Sequence, residues 1–149
     1  MARRYAITAE DTNTASTTTW GITSAATIRP RIYEINIGSD ATPADNAWEF
    51  TFKRYTAAGT STAVTPRALD PADPTSLASA GVNHSVEPTY TANSELLHIA
   101  GNQRATWRWV ASPDAGIGLP PTAANGIGCF SVSATASAVN MVHTVHWEE

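Results

Sequence analysis

The fold class follows from the stretch WEFTFKR at residues 48–54. Aromatic and polar residues alternate along it, so an extended chain has one apolar face and one polar face. A period of two with aromatic and β-branched residues is typical of a half-buried β-strand. We therefore expect a strand here, with Trp48, Phe50 and Phe52 facing the core.

Further stretches along the chain carry a similar signal. They are residues 31–37, 96–100, 105–110, 127–133 and 139–147. In the stretch 31–37 we expect Tyr33, Ile35 and Ile37 to face the core. Gly101 and Asn102, which follow the stretch 96–100, predict a hairpin or a strand corner. No window of three helical turns carries apolar residues at helical spacing. About eight strands without alternating helices predict an all-β fold, an antiparallel β-sandwich or jelly roll.

The chain length fits one domain. A domain of 149 residues buries roughly 70% of its unfolded surface, which is enough for one hydrophobic core. Residues 4–9 fit a short strand, whereas residues 10–19 are rich in Thr and Ser. We expect residues 1–19 together to form an N-terminal arm. Residues 56–93 form a long excursion with four prolines, which either carries short edge strands or is an interaction loop that orders on a partner.

The composition limits the partners. Charged residues make up 15% of the chain, the net charge is −4, and Lys53 is the single lysine. Soluble proteins usually carry about 25% charged residues. A surface with so few charges suits a protein that buries much of its surface against partners. The alternative is a monomer with a plain surface. The cations occur in pairs, whereas nucleic acid binding needs them in clusters, so no nucleic acid partner is expected.

The chain also lacks the sequence features of a membrane protein. It has no run of about 18 apolar residues, which a membrane span requires, and no apolar segment of a secretory signal follows its first residues. We expect no membrane partner, and we expect a protein that is made and kept in a cytosol or that leaves the cell by lysis. The single cysteine, Cys129, agrees with a reducing compartment.

No catalytic, metal or cofactor site is predicted. His143 and His146 are three residues apart in an expected strand, so they point to opposite faces and cannot hold one ion together. Asp70 and Asp73 lie in DPADP, which predicts a rigid double turn rather than a calcium loop. Cys129 lies in an apolar alternating run and is expected in the core.

Aromatic residues provide the candidate interface. The chain has 5 tryptophans, of which we expect about three in the core and one or two at an interface, since aromatic residues are enriched at interface cores. Trp107 and Trp109 share one strand face, with Arg108 on the other. The candidate interface residues are Arg3, Arg4, Tyr5, Trp20, Trp107, Trp109 and Trp147.

Several stretches from residue 30 onward resemble small virion proteins of tailed bacteriophages. They are RIYEINIG at 31–38, TSTAVTPRALDP at 60–71, QRATWRWV at 103–110 with Pro113 and Leu119-Pro120 after it, and VHWEE at 145–149. The chain is most similar to capsid decoration (cement) proteins, which are small β-sandwiches, often trimeric, at symmetry axes of the head. Residues 1–19 are poorly covered by this resemblance.

The resemblance implies a structural virion protein without catalytic residues or cofactors. It would bind the outer surface of a bacteriophage head as an oligomer and stabilise capsomer joints, with the major capsid protein and its own copies, as a homotrimer, for partners. It would be found on the virion head, and in the host cytoplasm during assembly. The alternative is a tail, neck or fibre-associated virion protein with a glycan- or protein-binding jelly roll.

Overall fold

The computed structural model describes residues 2–133 and 138–149. These residues form twelve β-strands in two six-stranded antiparallel sheets. The strands are β1 Arg4–Thr12, β2 Thr17–Thr23, β3 Arg31–Ser39, β4 Ala47–Ala57, β5 Thr60–Val64, β6 Arg67–Ala68, β7 Ser79–Val86, β8 Thr89–Asn102, β9 Trp107–Val110, β10 Ile117–Gly118, β11 Gly126–Ser133 and β12 Asn140–Glu148. The two sheets pack face to face, which confirms the predicted all-β sandwich; the jelly-roll connectivity stays a prediction.

Neighbouring strands in each sheet are mostly distant in sequence. The first sheet, sheet A, has the order β10-β3-β12-β1-β6, and β9 also pairs with β3. The second, sheet B, has the order β5-β7-β2-β11-β4-β8. The expected number of about eight strands is too low, partly because β6 and β10 have only two residues each and such short pairings leave no periodic pattern in a sequence.

The core lies between the sheets and follows the predicted alternation. On β4, Trp48, Phe50 and Phe52 are all buried, as expected. On β12, every second residue from Met141 to Trp147 is buried. Of the tryptophans, Trp20, Trp48 and Trp147 lie in the core, which confirms the expected three. Burying an apolar side chain such as that of Phe50 stabilises the fold by roughly 1.5–3 kcal/mol.

The N-terminal arm predicted over residues 1–19 is not an arm. Residues 4–12 form β1, which pairs with β12 along its whole length and buries Tyr5 and Ile7. Residues 17–19 begin β2 and are incorporated into sheet B, where Thr18 is also buried. Threonine is β-branched and suits a strand, so the Thr-rich composition was a misleading sign of a loop. Met1 lies outside the described residues.

The excursion at residues 56–93 carries strands of its own. It contains β5, β6, β7 and the start of β8, so the first of its two interpretations fits the structure. The segment after β8 is a corner rather than a hairpin, since β8 belongs to sheet B and β9 to sheet A. Gln103 fixes this corner, because its backbone N–H donates to the carbonyl of Asn46 at 2.8 Å and its side-chain oxygen accepts from the N–H of Ala44 at 3.0 Å.

The last residues of β7, the first residues of β8 and the turn between them contact Thr18 on the outer face of sheet B, and we name this segment, residues 84–90, the strap. Glu87 accepts hydrogen bonds from the N–H of Thr18 at 3.1 Å and from its hydroxyl at 2.5 Å. The hydroxyl of Tyr90 lies 2.7 Å from that of Thr18. Tyr55 also faces this side of the sheet and is nevertheless buried. The middle of this face is therefore covered, which distinguishes it from the outer face of sheet A.

Candidate functional site

The outer face of sheet A carries a connected group of polar and aromatic side chains. We name it the A-face cluster, and it consists of Arg4, Tyr33, Glu34, Arg108 and His146. Its members come from β1, β3, β9 and β12, so the pairing of these four strands brings them together.

A β-bulge in β3 places two neighbouring residues on this face. Glu34 pairs with His146 and Ile32 pairs with Trp147, so Tyr33 is an extra residue without an opposite partner on β12. A bulge re-aims the side chains around it. Ile32 is buried in the core, while Tyr33 and Glu34 both contact side chains on the outer face. The prediction that Tyr33 faces the core is therefore wrong.

Glu34 is the centre of the hydrogen-bond network. It accepts from Nε of Arg108 at 2.8 Å and from Nδ2 of Asn36 at 3.1 Å, and Nδ1 of His146 lies 3.3 Å from its second oxygen. The hydrogen bonds from Arg108 and Asn36 lower the pKa of Glu34 from 4.5 to about 2. Since these donors favour the charged form, the carboxylate is ionised at neutral pH and holds Arg108 in place.

The ring of Tyr33 contacts two neighbouring side chains. The guanidinium of Arg4 lies 5.5 Å from the ring centroid, a distance typical of cation–π contacts. The imidazole of His146 lies 5.9 Å from the ring, tilted by 32°. Burial raises the pKa of Tyr33, so its hydroxyl remains protonated at neutral pH and acts as a neutral hydrogen-bonding group.

Two depressions flank the cluster. One is lined by Arg4, Arg31, Tyr33, Pro113, Asp114 and Glu148, and the other by Asn36, Gly38, Thr106, Trp107, Arg108 and Thr144. In the first, Nη1 of Arg31 lies 3.6 Å from the carboxylate of Asp114 and 3.9 Å from that of Glu148. Val110, next to Arg108, is an exposed apolar residue. The face thus combines arginine, tyrosine and apolar groups, a composition enriched at protein interfaces.

The structure separates the residues predicted as an interface. Tyr5, Trp20 and Trp147 are buried, so they form core rather than a surface. Trp107 and Trp109 are partly buried and pack against the core, while Arg108 points to the opposite side of β9, as expected from strand alternation. Arg3 and Arg4 are exposed, and Arg4 is the one predicted residue that belongs to the A-face cluster.

The other members were missed by the sequence reasoning. Tyr33, Glu34, Arg108 and His146 were all noted as strand residues, but none was identified as a surface group with a role. The alternation along each strand placed Arg108 and Glu34 on the strand face opposite to the one that carries the apolar residues. Their contact depends on the pairing of β3 with β9, for which the sequence gives no signal.

A second polar group lies in the core and is closed to solvent. Nε1 of Trp20 donates to Nδ1 of His143 at 3.2 Å, and Sγ of Cys129 lies 4.0 Å from the same nitrogen. Burial lowers the pKa of His143 to about 3 and raises the pKa of Cys129. Both groups are therefore neutral at pH 7 and packed as core residues. In residues 2–133 and 138–149, no three His, Cys, Asp or Glu side chains are grouped so that they could hold a metal ion.

No family model, curated protein or solved structure matches this chain. The described residues contain no helix that is long and apolar enough to cross a membrane.

Proposed function

We propose that this chain is a structural protein of a bacteriophage head. It binds the outer surface of the head as an oligomer, contacts the major capsid protein and stabilises the joints between capsomers. It acts by binding, without catalysis. The observation that carries the proposal is the A-face cluster, an ordered group of interface-type side chains on an uncovered sheet face.

The order of the cluster supports a binding role. Arg108 is 64% exposed at its side chain, while its partner Glu34 is only 15% exposed, so a half-buried carboxylate holds an accessible guanidinium. A side chain that is already fixed loses less conformational entropy when a partner binds. Arginine and tyrosine are also the residue types that most often dominate binding energy at interfaces.

The choice of sheet face has a second support. The strap covers the middle of the sheet B face through hydrogen bonds to Thr18. The sheet A face keeps two depressions beside the cluster. An oligomer repeats such a contact in each copy, and the linked contacts add affinity without a single strong patch.

The glycan-binding form of the alternative has less support. A sugar platform needs an accessible aromatic ring, whereas the side chain of Tyr33 is only partly exposed and its ring contacts Arg4 and His146. A protein-binding role in the tail or neck would use the same cluster, and it is tested together with the head.

The test is co-sedimentation of the purified protein with expanded empty heads from which it has been stripped, counting copies per head. Tyr33→Ala and Arg108→Ala are compared with Arg29→Ala, an exposed arginine outside the cluster. Loss of one hot-spot side chain typically costs about 2 kcal/mol or more, which is roughly 30-fold in affinity. We expect this loss for the first two variants and unchanged binding for the third.

Saturation at a fixed multiple of the symmetry sites of the head supports the proposal. Binding to tails or necks but not to heads would transfer the role to the alternative. Binding to neither would overturn both, and equal binding of all three variants would remove the A-face cluster from the contact.

A further inference from the structure

One side of β1 is covered over only part of its length. On the first side, β1 pairs with β12 from its first residue to its last. On the other side, β6 pairs with Tyr5 and Ala6 only. The chain enters β6 from β5, which belongs to sheet B, so no strand of the described residues continues beside β1 after Ala6. We name residues 7–12 the open edge.

The hydrogen bonds at the two ends of β1 show which of its residues face β12. In an antiparallel pair, alternate residues direct both their N–H and their C=O toward the same neighbouring strand. Before β1, Arg3 exchanges two hydrogen bonds with Glu149, at 3.1 Å and 2.9 Å. After β1, the N–H of Asn13 donates to the carbonyl of Val139 at 3.2 Å. The backbone groups of the odd-numbered residues therefore point to β12.

The even-numbered residues of β1 point the other way. The carbonyl of Arg4 accepts from the N–H of Leu69 at 2.8 Å, on the side where β6 lies. By the same alternation, the N–H and C=O groups of Thr8 and Glu10 point out of the open edge. No described residue pairs with these two residues on that side. The edge thus offers four backbone groups in the spacing that an added strand requires.

Depressions lie on both sides of Thr8 along the open edge. The first is lined by Ala6, Ile7, Thr8, Val64, Thr65 and Arg67, and the second by Thr8, Ala9, Glu10, Val82, Asn83 and Val142. Val64 and Val82 belong to β5 and β7 of sheet B. Side chains of an added strand that point toward sheet B would therefore meet apolar groups there.

The charges of the open edge favour a partner other than a second copy. Glu10 is exposed and Asp11 is half-buried, and neither forms an ion pair with a described residue. Since β6 confines any pairing to residues 7–12, two copies joined through this edge would bring these carboxylates close to their counterparts. Like charges on paired strands are destabilising, whereas opposite charges are favourable. The edge therefore suits a strand that carries a cation.

We infer that the open edge binds an extended segment of a partner protein, which joins sheet A as a strand antiparallel to β1. The backbone of the segment pairs with Thr8 and Glu10, a lysine or arginine lies opposite Glu10, and apolar side chains point toward Val82. In strand addition, main-chain hydrogen bonds supply affinity and the side-chain contacts supply specificity. The contact goes beyond the proposed function, and it uses none of the residues of the A-face cluster.

The first test uses a synthetic peptide of six residues with blocked ends and a fluorescent label. It has arginine at its third position, valine at its fourth and sixth, and threonine elsewhere, so its arginine lies opposite Glu10 when the peptide pairs with residues 7–12. Binding is followed by fluorescence anisotropy. N-methylation of the third residue removes an N–H that faces β1 and should weaken binding about tenfold or more.

N-methylation of the fourth residue is the matched control. The N–H of this residue points away from β1, so the affinity should not change. Equal effects of the two methyl groups would overturn the strand pairing. No binding of the unmodified peptide at about 1 mM would overturn the inference as a whole.

A charge exchange tests the position of the cation. Glu10→Lys should weaken binding of the arginine peptide about fivefold and should strengthen binding of a peptide with glutamate at the third position by a similar factor. Glu95→Lys changes an exposed glutamate on β8 and should leave both affinities unchanged. If Glu10→Lys binds both peptides as the wild type does, the assigned pairing is wrong.

Amide hydrogen exchange measured by NMR separates the partner segment from a second copy. In the free protein, the N–H groups of Thr8 and Glu10 should exchange fast and those of Ile7 and Ala9 slowly, because only the latter two donate to β12. The arginine peptide should protect Thr8 and Glu10. Protection of these two residues without peptide that increases with protein concentration would assign the edge to a second copy and overturn the inference.

Discussion

Acidification is expected to destabilise the fold through His143, which lies on β12 between the two sheets. Its imidazole is fully buried, Nδ1 accepts a hydrogen bond from Trp20, and Nε2 has no hydrogen-bond partner in the described residues. Burial lowers the pKa of His143 from 6.5 to about 3, because the charged imidazolium would lose its hydration. In the unfolded chain, the group regains its ordinary pKa.

Between these two pKa values, the unfolded chain binds a proton that the folded chain does not bind. The contribution of His143 to the stability of the fold is therefore fully present above its pKa in the unfolded chain, and it is lost as the pH falls below that value. From about pH 8 to about pH 5 the loss is about 2 kcal/mol, at about 1.4 kcal/mol for each pH unit below the unfolded value. Burial also lowers the pKa of His84, so this residue adds a further loss of stability on acidification.

The assay is urea unfolding at the two pH values, followed by tryptophan fluorescence. His143→Asn removes the titrating group and keeps an oxygen that can accept from the Trp20 indole, so it should lose much less stability on acidification than the wild type. His98→Asn, at a half-exposed position beside Glu49, is the control and should behave as the wild type. Equal losses in the wild type and in His143→Asn would refute the reasoning.

Three further predictions concern single positions. Gly126→Ala should destabilise the fold by about 1–3 kcal/mol in urea, because a Cβ there would overlap the ring of Tyr55. Gly118→Ala, with no atom within 4 Å of the added Cβ, should be nearly neutral, and equal effects would contradict the argument. Glu34→Gln should lower the urea midpoint at neutral pH, at a cost of about 1–3 kcal/mol, whereas below the pKa of Glu34 of about 2 the two proteins should converge. Cys129 should resist a thiol reagent in the native protein and react fully in denaturant, since burial raises its pKa; rapid native labelling would contradict its core position.

The sandwich could be predicted where a strand runs regularly between two faces. Burial alternates without interruption along residues 139–147, and the aromatic residues at 48, 50 and 52 all lie in the core between the sheets. The same regularity predicted Trp48 in the core and put Arg108 on the strand face opposite Trp107 and Trp109. Period-two patterns report only which face is buried, so they left open which strands are neighbours.

The candidate site could not be predicted for the same reason. The bulge at Tyr33 reverses the face of the residues before it, and its position is fixed by the register with β12, far along the chain. Residue type caused the opposite error at Tyr5, Trp20 and Trp147. Aromatic residues are enriched at interfaces, so these three were predicted at an interface although they lie in the core. Each of them is enclosed by packing between the sheets, which no local pattern reveals.

The placement of the late strands has a consequence for biosynthesis. β12 lies between β3 and β1 in sheet A, and β11 lies between β2 and β4 in sheet B. While a ribosome makes the chain, the early strands emerge with apolar faces whose central neighbours do not yet exist. Pairing of such distant segments is slow, and unpaired strand edges are prone to aggregate. Neither sheet can therefore be completed before β11 and β12 have been made, and a nascent chain stalled before β11 would hold each sheet as two separate groups of strands.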